Sequence, residues 1–330
     1  MKKYLIAGGG VAAFEAANAL RGLDPDAEIT MFSRENVLPY RRPALPRALV
    51  ADLPEAQFLL KPASFYQEKK IAVELGVEVV AIDRANQTIR LDYGDVRSFD
   101  ALLLALGGSC FRPPVPGIHS AHTVVLRDWS DTLHLRNLIA SGKKKVALIG
   151  GGLLGLELAD ALLRCGCQVT VIEGCPRLLP RQLDEAGSAS VLETVSKIPG
   201  FAVELGRLPR EIGPDKVILA DGTVVAAELV VISAGMRPET TLAAAAGLAA
   251  DKEGITVDGA MRTSDSRIFA AGDCAALDGA ASPGLYGMAR TTGAVAGRNM
   301  AGAHETYQPV EYPARMIALG IKLIDGKLSK

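Results

Sequence analysis

Glycines at two places in the chain have the spacing of a turn that binds a dinucleotide. The first turn has Gly8, Gly10 and Ala13 at the three positions of the GxGxxG/A pattern. The first glycine permits a tight turn, the second lets the backbone approach a pyrophosphate, and a small third residue lets the following helix pack closely. Free N–H groups at the start of that helix favour the negative charge of the phosphates.

The second turn repeats this spacing and, like the first, is followed by an acidic residue. Its three glycines are Gly150, Gly152 and Gly155. The acids are Glu35 in the first copy and Glu173 in the second, each placed after the next apolar run. An acid at this place can accept hydrogen bonds from ribose hydroxyl groups. The two copies together predict two bound dinucleotides.

Both turns lie in the order of elements that a dinucleotide-binding domain needs. An apolar run precedes each turn, a helical pattern follows it, and a second apolar run ends on the acid. The apolar runs are residues 4–7 and 29–32 in the first copy, and 146–149 and 169–172 in the second. Their composition is typical of buried parallel strands. One GxGxxG motif alone is weak evidence, whereas two in this context are strong.

A further pair of segments, 89–107 and 217–235, supports the duplication. Each has a short strand, a glycine turn, another strand, an acid, an apolar strand and a final glycine, Gly107 or Gly235. A glycine turn between apolar runs favours a hairpin. The sequence therefore predicts an α/β fold with two Rossmann-like dinucleotide-binding domains. A unit duplicated for folding alone would not explain why both copies carry the dinucleotide turn.

Composition narrows the class of protein. The 330 residues are 49% hydrophobic and 22% charged, with a formal net charge of −1, so no strong field favours nucleic acid or an anionic membrane. The N-terminal residues lack the pattern of a signal peptide, and no apolar run is long enough to span a bilayer. Five cysteines, an odd number, do not indicate a disulfide framework, so we expect a cytoplasmic protein.

Residues 263–275, TSDSRIFAAGDCA, resemble the second FAD motif of the pyridine nucleotide-disulfide oxidoreductase superfamily. In that superfamily a buried strand ends on Gly-Asp, and the aspartate holds the ribityl chain of the flavin. The resemblance implies these roles for Gly272 and Asp273. Residues 104–109, with Ala105 and Gly107, are similar to the family's Ala-Thr-Gly-Ser turn, although Leu106 replaces the threonine. Residues 233–238 are similar to its partner in the nucleotide domain.

Within the superfamily the chain resembles rubredoxin reductase and the flavin portion of nitrite reductase. Residues 39–45 are similar to their Tyr-x-Arg-Pro-x-Leu segment, which borders the flavin, and this implies flavin contacts for Arg42 and Pro43. Arg47 stands where those proteins usually have a lysine near the isoalloxazine ring. Residues 286–302, with Ala289, resemble their last helix, whose N-terminus points at the pyrimidine edge of the flavin. Simple close packing also explains that helix.

The resemblance also implies the order of the domains. We expect an FAD domain formed by residues 1–118 and 251–330, with an NAD(P)H domain at 119–250 inserted between them. Family members commonly continue into a small interface domain, which we expect to be largely absent here because the sequence ends soon after Leu323. A homodimer and a subunit of a larger complex both stay open.

The cysteines do not form the pattern of a disulfide reductase. The region 34–45, where relatives carry redox cysteines, has none. Cys165 and Cys167 are expected far from the flavin, and neither metal spacing nor extra ligands accompany them, so no metal site is predicted. Cys110 is either a thiol near FAD or, as we favour, an inert buried thiol. Cys175 and Cys274 are interpreted as structural.

The mechanism implied by the resemblance is hydride transfer from NADH to the flavin N5, with the chemistry supplied by the cofactors. Glu157 matches a family glutamate near the nicotinamide, although a plain acid at a helix start is the alternative. Glu157 and Arg47 are the candidate catalytic residues. Glu173 would repel a 2′-phosphate and favours NADH over NADPH, while Arg177 and Arg181 weaken that preference.

Without a redox cysteine pair, the expected electron acceptor is a small iron-containing redox protein such as rubredoxin or ferredoxin. Arg41, Arg42 and Arg47 form a positive cluster that could guide an acidic partner, or alternatively serve flavin packing and phosphate neutralisation. Two other functions stay open. One is an NADH oxidase that forms hydrogen peroxide, and the other is a flavin-bearing subunit whose contacts with partners matter more than turnover.

Overall fold

The structure is a computed structural model, and it describes residues 1–329. Its described residues form two compact units. The first unit comprises Met1–Pro43, Pro54–Ser109 and Met236–Tyr312. The second comprises Ala44–Leu53, Cys110–Gly235 and the described residues from Pro313 onward. Both units mix parallel sheets with helices, which confirms the predicted α/β fold with Rossmann-like domains.

The strands are short and are numbered in chain order. They are β1 (Lys3–Ala7), β2 (Glu28–Ser33), β3 (Ile71–Leu75), β4 (Val79–Asp83), β5 (Thr88–Leu91), β6 (Val96–Ser98), β7 (Ala101–Leu104), β8 (Gly108–Cys110), β9 (Thr123–Val125), β10 (Lys145–Ile149), β11 (Gln168–Glu173), β12 (Phe201–Leu205), β13 (Pro209–Ile212), β14 (Lys216–Leu219), β15 (Val224–Ala226), β16 (Leu229–Ile232), β17 (Met236–Pro238), β18 (Ala250–Asp251), β19 (Gly254–Val257), β20 (Ile268–Ala270), β21 (Ala275–Leu277), β22 (Met316–Ala318), β23 (Ile321–Ile324) and β24 (Lys327–Ser329).

The helices include several of only one or two turns. They are α1 (Val11–Leu23), α2 (Leu45–Val50), α3 (Glu55–Phe58), α4 (Ala63–Glu68), α5 (Trp129–Ala140), α6 (Leu153–Arg164), α7 (Glu185–Val195), α8 (Thr241–Ala245) and α9 (Tyr286–Met300), with 3₁₀ turns at Arg42–Ala44 and Gly272–Cys274. Across residues 1–329, none of the helices has the length and apolar character that crossing a bilayer would require.

The first unit is built on a five-stranded parallel sheet in the order β20-β7-β1-β2-β3. Its central strands are apolar and buried along almost their whole length, as expected for a sheet covered on both faces. Parallel pairing puts the C-terminal ends of β1, β7 and β20 at one edge. The first dinucleotide turn and the Gly272–Asp273 pair follow β1 and β20, so both lie at this edge.

The second unit repeats that plan with the strand order β12-β11-β10-β16-β9. Strand β10 lies between β11 and β16, as β1 lies between β2 and β7. Antiparallel sheets β4-β5-β6 and β13-β14-β15 occupy the corresponding places in the two halves. The internal repeats read from the sequence, including the hairpins at both glycine turns, are therefore present in the structure.

Helices α1 and α9 of the first unit pack so closely that two glycines of α9 have no room for a side chain. A Cβ atom built on Gly293 would lie 2.3 Å from the carbonyl oxygen of Ala12. One built on Gly297 would lie 2.3 Å from that of Ala16. The glycines of α9 therefore serve close packing, in agreement with one of the two interpretations of this helix.

Two short segments pack with the second unit rather than with their neighbours in sequence. Residues 44–53 contribute Leu49, which is 3% exposed and lies in the second unit's core. Strands β22 to β24 bring Met316 and Leu323 into the same core. The two units do not share all boundaries with the domains 1–118, 119–250 and 251–330, which stay a prediction. Neither segment carries a dinucleotide motif, so the sequence pattern gave no indication of where it packs.

We predict that Gly297→Ala destabilises the protein even though alanine is the better helix former. The added Cβ would meet backbone atoms of Ala16, and overpacking of this kind costs about 1–3 kcal/mol. Gly22→Ala in α1 is the matched control, because its Cβ would meet no atom within 4 Å among the described residues. We expect that control to gain up to about 0.5–1 kcal/mol. Urea unfolding of the two variants gives the comparison, and equal midpoints would contradict it.

Candidate functional site

The first dinucleotide turn depends on the absence of a side chain at Gly8. This residue has φ +137°, and a Cβ built on it would lie 2.2 Å from the carbonyl oxygen of Ala105. Its N–H donates to the Phe32 carbonyl at 2.8 Å, and the Ala105 N–H donates to the Ala7 carbonyl at 2.8 Å. The turn is thus fixed between the ends of β2 and β7. It places Ala105, predicted separately for the site, directly against the glycine turn.

Gly10, the second glycine of this turn, faces open space. A Cβ built on it would meet no atom within 4 Å in the described chain. It is the N-cap of α1, and none of the described side chains forms a capping hydrogen bond there. The first N–H groups of a helix need partners, and they carry the positive end of its dipole. Packing within this unit does not require glycine here, whereas close approach of a phosphate would.

Ala13, the third residue of the pattern, and the Gly272–Asp273 pair both lie near the N-terminal end of α1. Ala13 is fully buried. A Cβ on Gly272 would lie 3.1 Å from the Cβ of Ala12 and 3.7 Å from that of Ala289. The Gly272 N–H donates to the Thr292 hydroxyl at 3.1 Å. The structure thus places Gly272, Asp273 and Ala289 around the start of α1, and Gly107 follows β7 at the same sheet edge.

Glu35 lies at the end of β2 and already has two partners in its own segment. Its carboxylate accepts from the Tyr40 hydroxyl at 2.8 Å and from the Arg42 guanidinium at 2.5 Å. The Tyr40 ring stacks on Phe58, with 4.7 Å between the ring centroids. The Arg42 guanidinium lies over the Tyr40 ring, 5.2 Å from its centroid. These bonds hold the carboxylate at the position that the sequence pattern assigns to the ribose-binding acid.

The three arginines predicted as one positive cluster have different surroundings. Arg42 is ion-paired with Glu35, and Arg41 donates to the carbonyls of Ala56 and Leu59. Both lie in the first unit, with the exposed Pro43 after them, whereas Arg47 lies in α2 of the second unit. Arg41 and Arg42 thus bind groups of the protein itself, and neither the guidance of an acidic partner nor the alternative of flavin packing and phosphate neutralisation is tested by these contacts.

The second dinucleotide turn has the same construction as the first. Gly150 has φ +114°, and its Cβ would lie 2.3 Å from the Ser233 carbonyl oxygen. A Cβ on Gly155 would lie 2.1 Å from the Gly150 carbonyl oxygen. Gly152, the N-cap of α6, again faces open space and receives no capping bond from the described side chains. Gly235 follows β16 in this unit, with φ +106°.

Glu173 connects the second turn to the loop after β11. One carboxylate oxygen accepts from the Gly151 N–H at 2.6 Å, and the other accepts from the Cys175 N–H at 2.7 Å. Both bonds fix a negative charge beside the turn. Arg177 donates to the carbonyls of Pro180 and Leu183 in its own loop, while Arg181 is exposed. The charge of Glu173 is therefore held in place while Arg177 is directed into the loop.

Glu157 is the ionisable group most changed by its surroundings in this part of the molecule. It lies on α6, two residues after Gly155, and is half-buried. Burial raises its pKa from 4.5 to about 7, with the Arg47 guanidinium acting in the opposite direction and the Asp160 carboxylate adding to the rise. The two candidate catalytic residues thus belong to one electrostatic group. Asp160 was not predicted, although its i+3 spacing from Glu157 on a helix was a usable signal.

The five cysteines are free thiols. Burial raises the pKa of the Cys274 thiol to about 11 and also raises that of Cys110, where Arg127 acts in the opposite direction. The pKa values of Cys165 and Cys167 are raised by burial as well. A thiol with a raised pKa is a poor nucleophile near neutral pH. These surroundings favour structural roles over a thiol relay.

The two open glycines generate a paired prediction. Their backbone angles suit alanine, with φ −86° at Gly10 and −81° at Gly152, and neither Cβ would strike the described protein atoms. We expect Gly10→Ala to fold normally but to lose most of its flavin, because the methyl group would occupy the phosphate's place. Gly152→Ala should keep its flavin and bind NADH more weakly. Visible absorbance and an NADH titration test this, and each variant controls for the other.

We also predict a pH effect on stability from Glu157. Its carboxyl holds a proton up to about pH 7 in the folded state and up to about 4.5 when unfolded, so the folded state binds more protons between these values. Raising the pH through this window therefore favours unfolding. In Glu157→Gln this contribution should vanish, so the variant gains stability relative to the wild type as the pH rises. Parallel pH dependences of the two unfolding free energies would contradict the prediction.

Comparison with known proteins agrees with this arrangement. Residues 2–297 match the family described as "Pyridine nucleotide-disulphide oxidoreductase". The ferredoxin--NAD(+) reductase component of the anthranilate 1,2-dioxygenase system of Burkholderia cepacia is 40% identical over 277 residues, which are 82% of this chain and 67% of that one. The rubredoxin-NAD(+) reductase of Pseudomonas putida is 34% identical over 277 residues, 82% of this chain and 71% of that one.

A solved structure shows the same likeness. The ferredoxin reductase for the CYP199A2 system from Rhodopseudomonas palustris superposes with a TM-score of 0.90 at 29% identity, covering 98% of this chain and 82% of that one. Together with the two glycine turns and the Gly272–Asp273 pair, these matches confirm the family resemblance found in the sequence. The chain is a member of the pyridine nucleotide-disulphide oxidoreductase family.

Proposed function

We propose that this chain is an FAD-dependent oxidoreductase that takes electrons from NADH and passes them to a small redox protein of the rubredoxin or ferredoxin type, without a redox-active disulfide. The observation that carries the proposal is the pair of glycine turns. In each, the second glycine faces open space at a helix start that no side chain of residues 1–329 caps with a hydrogen bond. Reductases of ferredoxin and rubredoxin that use NAD(+) are among its relatives.

The first unit fits FAD. Gly8, Gly10 and Ala13 would receive the pyrophosphate at the start of α1, and Glu35 the adenosine ribose. The remaining contacts belong to the flavin half and to the nearby phosphate. We assign them to Arg42, Pro43, Ala105, Gly107, Gly272, Asp273 and Ala289. The helix α9 begins at Tyr286 without a capping bond from the described side chains, so its positive end can also face a negative group.

The second unit fits NADH. Gly150, Gly152 and Gly155 would receive its pyrophosphate at the start of α6, with Gly235 beside the same sheet edge. The carboxylate of Glu173, held by two backbone N–H groups, would accept ribose hydroxyls and would repel a 2′-phosphate. Because Arg177 is directed into its own loop, the preference for NADH over NADPH is stronger than the sequence alone indicated.

When bound, the flavin supplies hydride acceptance and the release of electrons in single steps. The chain's own contribution is to bind, orient and set charge. We assign Glu157 and Arg47 to the nicotinamide end of the site. Because the pKa of the Glu157 carboxyl is about 7, this group is protonated in about half of the molecules near neutral pH. Such a group can donate a hydrogen bond to a carboxamide oxygen that a fully ionised carboxylate would repel.

The location and organisation of the chain follow as part of the same proposal. Among residues 1–329, no helix is long and apolar enough to cross a membrane. Five cysteines, an odd number in a chain of this length, do not indicate a disulfide framework, and we therefore infer a cytoplasmic location. The FAD and NAD(P)H domains that we propose overlap largely with the first and second units, but residues 44–53, 110–118, 236–250 and those from Pro313 onward fall in the other unit.

We predict that the purified holoenzyme reduces a rubredoxin or a [2Fe–2S] ferredoxin with NADH much faster than it reduces oxygen. The two rates are compared by following acceptor absorbance anaerobically and peroxide formation aerobically. NADPH should be the poorer donor by at least about tenfold, because a like-charge contact with Glu173 costs more than about 1.4 kcal/mol. If peroxide formation matched the fastest acceptor rate, an NADH oxidase would be the better description.

A further inference from the structure

Helix α2 is only six residues long and is attached to the second unit by one arginine of α5. The Arg136 guanidinium donates to the carbonyl oxygen of Ala48, inside α2. A second nitrogen of the same group is 2.7 Å from the Asp52 carboxylate, just beyond the helix. The Arg136 side chain also lies over Trp129, 6.0 Å from the ring centroid. Arg136 thus joins α5 to both the body and the end of α2.

The two bonds of Arg136 differ in value. Asp52 is 92% exposed, and ion pairs at such a surface contribute little. Arg136 itself is 25% exposed, and its bond to Ala48 satisfies a carbonyl in the last turn of α2, where helix carbonyls lack internal partners. The bond to Ala48 is therefore the one that we expect to hold the helix, with Asp52 contributing mainly to the direction of the guanidinium.

The opposite side of α2 is attached less specifically. Leu49 is 3% exposed and packs in the core of the second unit, and the Cys165 thiol lies 3.8 Å from the Leu49 carbonyl. Neither contact is directional enough to fix the position of a short helix, because apolar packing is non-directional and a thiol is a weak hydrogen-bond donor. A guanidinium bound at two points has a fixed geometry and is the more specific attachment.

The position of α2 matters because Arg47 lies one residue before Ala48. The positive charge of Arg47 lowers the pKa of Glu157. The one other charge in the described chain that affects this pKa is Asp160, one turn along α6, which raises it. Strand β22, which packs on α6, has no ionisable residue. The charged ends of β10 and β11 are engaged elsewhere, since Lys145 acts on Glu228 and Glu173 is bound by backbone N–H groups.

We propose that Arg136 is a positioning residue, which holds α2 on α5 through the Ala48 carbonyl and thereby fixes Arg47 beside Glu157. The role goes beyond the sequence resemblance, which assigned Arg47 and Glu157 but nothing that places them. It deepens the proposed function, on which the importance of Glu157 rests. Arg136 itself needs no contact with either dinucleotide.

The test is a titration of Glu157 in the flavin-loaded protein by carbon NMR. Glutamate labelled at the side-chain carboxyl is incorporated, and the Glu157 signal is assigned as the one missing in Glu157→Gln. We expect Arg47→Ala to raise the pKa of Glu157, because a favourable cation is lost. Arg136→Ala should raise it in the same direction by a smaller amount. The double variant should titrate like Arg47→Ala alone, since Arg136 acts only through Arg47.

Two further variants isolate position from charge. Arg136→Lys keeps the positive charge, but a single ammonium cannot reproduce the two-point fork, so the pKa of Glu157 should still rise. Arg207→Ala is the matched control in the same unit, because Arg207 also binds two acceptor groups, the carboxylates of Glu204 and Asp221, and neither of these residues lies in or next to α2. We expect it to leave the Glu157 titration unchanged.

The proposal is overturned if Arg136→Lys and Arg136→Ala both titrate like the wild type while Arg47→Ala does not. It is equally overturned if Arg47→Ala leaves Glu157 unchanged, or if the double variant exceeds Arg47→Ala. The titration requires neither NADH nor an acceptor. Its failure is therefore distinguishable from failure of the proposed function, which would show as slow acceptor reduction by an enzyme whose Glu157 titrates as expected.

Discussion

The close passage of one glycine beneath a carbonyl of the neighbouring strand is the constraint on which both units depend. Gly8 lies against Ala105 and Gly150 lies against Ser233, each at a distance that excludes any Cβ. This contact brings the end of the central strand, the end of its neighbour and the start of the following helix to one point. The helix start, the open second glycine and the acid after the next strand then lie at the same edge of the sheet. A larger residue at either position would separate them.

The acidic residues assigned to the two dinucleotides have two kinds of surroundings. Glu35 and Glu173 are each held by two donors, from Tyr40 and Arg42 in one case and from backbone N–H groups in the other. Burial raises the pKa of Glu157 and the Arg47 cation lowers it, and the resulting pKa is about 7. The acids that bind ribose in the proposal are thus held in place by hydrogen bonds, whereas burial raises the pKa of the acid assigned to the nicotinamide end.

The sequence was sufficient for the features that depend on local spacing. The glycine turns, the acids after the second strands and the hairpins at Gly94 and Gly222 all follow from residues close together in the chain, and the structure contains each of them. The packing of α2 was not predictable in this way, because Arg136 and Ala48 are separated by 88 positions and neither carries a motif. The raised pKa of Glu157 was likewise not predictable, because it arises from burial by elements that are far apart in the sequence. The roles assigned to individual site residues stay predictions.

The interleaving of the two units has a consequence for how the protein is made. The chain passes from one unit to the other five times, and α2 and the strands from Met316 onward complete a core whose bulk lies at Cys110–Gly235. As the polypeptide leaves the ribosome, neither unit is a finished folding domain until late segments arrive. Leu49 must wait for α5 and α6, and these in turn wait for Leu323. Such long-range closure slows folding and extends the time during which apolar surface is exposed.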